Sequence, residues 1–284
     1  MYKIVGFLGI ILGATLTVIE RYFIHIPNVV AITLYAVAVI MIVIGVIGNR
    51  MSSNCNQRNS EKRRKLQMNK EWSEKNQKMQ SLLKKDTFAD GIAELLELRR
   101  ILMKEIISWK ELTKEDFCAI PFINAKGYHS KTIAYSLWHI FRIEDIVVNS
   151  LICGEDEVLF RGSYARKMNS PIITTGNELK GTEIAEFSQK LDIDILYQYI
   201  EAVMEKTNDW MLTIDYSSLK KGFDESDKER LRNLAVVSND EDAIWLIDYW
   251  CDKDIKGLIK MPLSRHWIMH VEAALRIKNK LECK

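Results

Sequence analysis

The chain has 284 residues, with 40 Lys+Arg against 38 Asp+Glu, 48% hydrophobic and 27% charged residues, 13 Gly and 4 Pro. These proportions are those of a folded protein and exclude disordered, collagen-like and low-complexity classes. Five cysteines (Cys55, Cys118, Cys153, Cys251, Cys283) form no C-x-x-C pair and are odd in number. They exclude a disulfide framework and a cysteine-rich zinc site, and they suit a reducing compartment.

The net charge of +2 hides an asymmetry. Asn49 to Lys85 holds eleven Lys/Arg against three acids (Glu61, Glu71, Glu74), whereas 86–284 carries a net seven negative charges. An acidic main domain is poorly suited to binding nucleic acid, so no nucleic-acid partner is expected.

Ile4 to Ile19 (IVGFLGIILGATLTVI) and Val29 to Ile47 (VVAITLYAVAVIMIVIGVI) carry no charge. A bilayer core of about 30 Å needs roughly 20 apolar residues per helix. The second run meets this, and the first meets it with Tyr2 and Lys3 snorkelling at its end. Between them, ERYFIHIPN has the composition of an interfacial turn, with His25 at the interface. No small-residue cleavage site follows the first run, so 1–48 is predicted to be an uncleaved transmembrane hairpin, not a signal peptide. Basic residues cluster from Arg50 onward, which by the positive-inside rule puts both termini in the cytoplasm. The expectation is a multi-pass protein of the cell membrane with a cytoplasmic domain. The segment 49–85 reads as a basic juxtamembrane linker, helical from Asn59 and attracted to anionic lipid.

From Thr87 the periodicity turns helical. Phe88 to Lys110 places Ile92, Leu95, Leu96, Leu98, Ile101, Leu102 and Ile106 at three- and four-residue intervals. Ser130 is the expected N-cap of a second helix ending before Gly154. Asp192 to Leu212 forms a third, and Pro262 opens a fourth at a first-turn position, preceded by a short helix over Glu241 to Cys251. The domain 86–284 is therefore all-α, with four long helices whose longer connections do not guarantee simple up-down alternation. P-loop and dinucleotide fingerprints are absent, which argues against a nucleotide enzyme.

Three histidines carry the chemistry. His266 and His270 stand at i, i+4 on one face of the fourth helix, and His139 sits midway along the second. Neutral imidazoles ligate zinc and suit nickel, iron and copper. Two from one helix and one from a facing helix make a three-nitrogen site with an open position. Ala273, Ala274 and Ile277 continue the His270 face, and the two alanines are expected to leave room beside an ion. Position 267 is Trp, so the HExxH general base is missing. Tyr135 and Arg142 share the His139 face and are candidates for substrate binding, with core packing or an ion pair as the competing role. Glu144 and Asp145 are candidates to support the ligands from behind, but the helical angle turns both away from His139, and surface pairs are expected. His129 is expected to be an exposed loop residue, and Cys251 a core thiol.

SLWHIFRIEDIVVNSLI resembles the second-helix signature of the DinB/YfiT-like superfamily, and WLIDYWCDKDIKGLIKMPLSRHWIMHVEAALRIKNKL resembles the end of those proteins with its closing HxxxH. The likeness covers Thr87 to Lys284. It implies a four-helix bundle of up-down-down-up topology in which His139, His266 and His270 hold a divalent metal ion. Zinc comes first; nickel, iron or manganese would also suit. It further implies a metal-dependent enzyme, a thiol transferase or a hydrolase, that takes a low-molecular-weight thiol and an electrophilic small molecule, with a homodimer among the expected assemblies. The alternative is a metal-stabilised, membrane-tethered sensor or scaffold without catalysis. The hairpin and the insertions at 154–191 and 213–243 depart from the usual small soluble member, so the substrate stays open.

Overall fold

The computed structural model describes residues 2–22 and 27–282, and within these it leaves out the side chains of Glu20, Tyr22, Asn28, Val29 and residues 51–67. The expected turn around His25 and most side chains of the basic run lie outside that description. The described residues form thirteen α-helices and no strand, so the fold is all-α. They fall into two compact units, Met1–Asn69 and Lys70–Lys284.

In the first unit, α1 (Tyr2–Tyr22) packs against the start of α2 (Asn28–Leu82). Both helices are long and apolar enough to cross a membrane. Their outward side chains, Ile4, Phe7, Val39 and Val46 among them, are exposed. The contact between the two helices is made by small residues. A Cβ on Gly45 would collide with the Gly6 Cα, and one on Gly9 would sit 2.8 Å from the Ala38 carbonyl. Glycine at these points lets the backbones touch, the usual device where packing rather than the hydrophobic effect joins helices. Thr17 Oγ1 and Tyr35 Oη lie 3.0 Å apart across the same contact.

The second unit begins with the last turns of α2, where Trp72 and Met79 are buried and Lys75 and Lys78 pair with Glu94 at 3.2 and 2.7 Å. Part of the expected linker is thus folded into this unit. The chain continues through α3 (Phe88–Ile107), α4 (Lys114–Cys118), α5 (Ile133–Asp145), α6 (Val158–Arg161), α7 (Tyr164–Lys167) and α8 (Glu183–Lys190). It ends with α9 (Ile193–Thr213), α10 (Glu225–Asn233), α11 (Glu241–Cys251), α12 (Ile255–Lys260) and α13 (His266–Glu282).

α5 is the axis of the unit. Every one of its residues is buried, and α9 and α13 pack against it. Thr132, not Ser130, caps it, accepting from the Tyr135 N–H at 2.9 Å. Beyond Asp145 it widens into a π-helical stretch, Ile146–Cys153, that stops at Gly154 in the left-handed conformation (φ 67°). A second π-helical turn, Met261–Arg265, joins α12 to α13. Pro262 stands in the first turn of this stretch, as expected, where a missing N–H costs nothing; the stretch then runs directly into α13.

Because α5 has no solvent face, the expectation of surface pairing for Glu144 and Asp145 is overturned. Glu144 receives both Arg99 guanidinium nitrogens at 2.8 and 2.7 Å and the Trp267 indole N–H at 2.8 Å, all fully buried. Asp145 accepts from Tyr199 Oη at 2.9 Å, Asn149 Nδ2 at 2.8 Å and the Val158 and Leu159 N–H groups at 2.8 and 2.9 Å. That set of donors meets the requirement for keeping a carboxylate in the interior.

Candidate metal centre

One face of α5 presents Tyr135, Trp138, His139 and Arg142 at i, i+3, i+4 and i+7. A strap of chain from Ile173 to Gly176 runs antiparallel along this face, and each of its four carbonyls accepts one bond from it. Arg142 Nε donates to Ile173 at 2.6 Å, Trp138 Nε1 to Thr174 at 3.1 Å, His139 Nδ1 to Thr175 at 2.8 Å, and Tyr135 Oη to Gly176 at 2.9 Å. A carbonyl only accepts, so His139 carries its proton on Nδ1 and keeps its lone pair on Nε2.

α13 supplies the other two imidazoles. The Trp267 indole N–H is held by Glu144, and the Arg99 guanidinium lies 4.4 Å from the Trp267 ring centre. This buried clamp fixes the rotation of α13 against α5, and it aims His266 and His270 at His139. The ring centres stand 5.0 Å apart for His139–His266, 4.7 Å for His139–His270 and 4.4 Å for His266–His270. One ring nitrogen from each lies within 4.8 Å of the others, and all three residues are buried. Among the described residues this set could hold a metal ion. Burial lowers the His139 pKa to about 4, against the opposing effect of the Thr175 bond. Burial, and then the neighbouring imidazoles, hold His266 and His270 well below the usual histidine range. All three are neutral at physiological pH, as ligation requires.

The triad opens on a cavity of about 680 Å³. Tyr128, Tyr135, Trp245, Tyr249, Trp250 and Met261 form much of its wall. Its charged groups are Lys131, Lys180 and Asp242, and Lys180 pairs with Asp242 at 2.8 Å. Both insertions reach the site: 154–191 provides the strap and Lys180, and 213–243 provides Asp242.

The candidates read from sequence separate here. Tyr135 lines the cavity, its ring stacked on His139 with centres 5.5 Å apart and planes 13° from parallel. Arg142 does not line it; its buried guanidinium is engaged by Ile173 O and by Glu157 at 2.5 Å. Ala273, Ala274 and Ile277 are buried away from the cavity, so the space beside the triad is not theirs. His129 is half-buried against the Tyr128 ring, centres 4.0 Å apart, and is not a free loop residue. Cys251 is a core thiol, pushed by burial up to about 11.

Sequence reasoning missed Thr175, Arg99, Lys131 and Trp245, and it misplaced Glu144. Thr175 acts through its backbone and leaves no side-chain signal. Glu144 left a weak one: Ile133, Leu137, Trp138, Ile140, Phe141 and Ile143 spread large apolar groups round most of α5, which leaves a charge little solvent face to occupy. No protein-family model matches this sequence, and no curated protein matches it either.

Proposed function

We propose that Lys70–Lys284 is a DinB/YfiT-like bundle of up-down-down-up topology, built on α3, α5, α9 and α13, and acts as a membrane-anchored, metal-dependent thiol transferase at the cytoplasmic face. The observation that carries this reading is the convergence of three buried, neutral imidazoles at an open cavity. His266 and His270 each keep a buried Nδ1 without a hydrogen-bond partner. Such clustered, unsatisfied imidazoles are costly unless something takes up their lone pairs, so the donor set fits a divalent ion, zinc first and nickel, iron or manganese as alternatives.

When bound, such an ion lowers the pKa of a thiol or a water and polarises an electrophile. The chain's own groups decide between these nucleophiles. Among the described residues, Asp242 is the one carboxylate lining the cavity, and it is engaged by Lys180. A hydrolase activating water, whose pKa starts at about 15.7, gains from a free general base. A thiol of pKa about 8.5 needs none. The cavity therefore favours transfer from a low-molecular-weight thiol to an electrophilic small molecule. Tyr135 and the aromatic wall exclude water and orient the acceptor. An open three-nitrogen site also differs from the closed four-ligand sites of structural zinc, which speaks against the metal-stabilised sensor or scaffold.

Full-length protein purified in detergent tests the proposal. Elemental analysis is expected to find about one divalent ion per chain, lost in His266→Ala/His270→Ala; equal content in both removes the metal centre. Incubation with common cellular thiols and an electrophile panel is expected to give metal-dependent conjugation, lost in a folded His139→Ala variant. Bound metal without turnover on any thiol shifts the reading to the scaffold.

A further inference from the structure

Among the described residues, Lys131 is the one cavity cation that no hydrogen bond or ion pair holds. It stands just before α5, half-buried, and lines the cavity. Its Nζ lies 4.6 Å from the centre of the Tyr135 ring. The Asp242 carboxylate, which pairs with Lys180 at 2.8 Å, acts on it only at longer range. Burial disfavours its charge, and a cation so placed gains from any anion that enters.

The other features of the cavity narrow that anion. The site holds one free ammonium and no arginine fork. The neighbouring helix starts are already capped, that of α5 by Thr132 and that of α11 by Asp240. Phosphate esters favour bidentate guanidinium or open helix N-termini, whereas one ammonium, a point charge, matches a single carboxylate. The aromatic walls of Tyr128, Tyr135, Trp245, Tyr249 and Trp250 suit a flat body. The volume of about 680 Å³ is in the range for a small-molecule site.

We propose that the cavity binds an aromatic carboxylate, with Lys131 holding the carboxylate and the Tyr/Trp walls holding the ring. It rests on the transferase reading only where such an acid also carries the electrophilic carbon that the thiol attacks; the binding itself does not require the metal ion.

Isothermal titration calorimetry on the full-length chain in detergent tests it, with 2-naphthoate compared with its uncharged isostere 2-naphthamide, in chelator-treated and in zinc-loaded protein. The expected result is naphthoate binding about tenfold tighter than the amide in both states. That preference is lost in Lys131→Met and retained in Lys131→Arg; Lys131→Gln replaces Lys131→Met if the latter does not fold. Equal affinities for the two probes, no naphthoate binding, or a preference that survives loss of the Lys131 charge overturns the proposal. A preference that appears only with zinc and survives Lys131→Met places the anion on the ion, which sinks the Lys131 role and leaves the metal centre standing. Zinc failing to bind while the Lys131-dependent preference persists removes the metal centre and leaves this inference intact.

Discussion

Three neutral imidazoles in one buried cluster set an acid limit on the folded state. In the unfolded chain each histidine titrates near 6.5; in the native chain His139 titrates at about 4, and His266 and His270 lie well below the usual range. Between these values the unfolded state takes up protons that the native state refuses, so stability rises with pH across the window. It is fully present above about pH 7 and is lost as pH falls toward 4. Each imidazole contributes a slope of up to about 1.4 kcal/mol per pH unit. Thermal unfolding of the chelator-treated full-length protein, followed by tryptophan fluorescence from about pH 7.5 to about pH 5, should show a falling midpoint. His139→Gln/His270→Gln should flatten that fall, and an unchanged slope refutes the assignment. The three imidazoles were legible in the sequence because i, i+4 spacing and a mid-helix histidine are side-chain facts. The Thr175 carbonyl that sets the His139 tautomer was not, since any residue supplies a carbonyl.

The helices that position these residues were legible in the same uneven way. The short helix over Glu241–Cys251 forms over the expected span, and Asp192, the expected first residue of the third, caps α9, which begins one residue later. Apolar spacing and capping chemistry suffice for such elements. The two π-helical stretches were not legible, because the ladder widens by one residue without a change in apolar period; Pro262 marked the first turn of the second stretch but not its wider ladder. The strap was missed for a related reason: its four bonds to α5 are made by backbone, and only Gly176 marks it. That glycine has φ 81°, and a Cβ there would sit 3.0 Å from the Tyr135 ring. Gly176→Ala should therefore cost about 1–2 kcal/mol of stability. By displacing the strap from His139 it should also lower zinc affinity by about tenfold or more. Competition with a chromophoric chelator measures the second effect. Wild-type zinc affinity in a variant with a lowered unfolding midpoint would mean that the strap braces α5 without orienting the ligand.

Across the whole chain, charge is partitioned by segment: a hairpin with almost none, a strongly basic stretch directly after it, and an acidic remainder. The two apolar helices leave most of their side chains uncovered within their own unit. The Gly6–Gly45 approach is the kind of contact by which helices associate in lipid. An exposed apolar surface of this extent suits a nonaqueous partner, and the positive-inside rule reads the basic residues from Arg50 as cytoplasmic. The expected topology is therefore two crossings with both termini, and the His139/His266/His270 cluster, on the cytoplasmic side. Single cysteines placed at the exposed Lys126 and Lys220, and at His25 between the helices, make this measurable. In intact cells a membrane-impermeant maleimide should modify His25→Cys and spare Lys126→Cys and Lys220→Cys, which should react only after permeabilisation. The reverse pattern inverts the topology. Labelling of neither site in intact cells means that the hairpin enters the bilayer from one side without crossing, in which case the basic stretch anchors the protein through lipid headgroups alone.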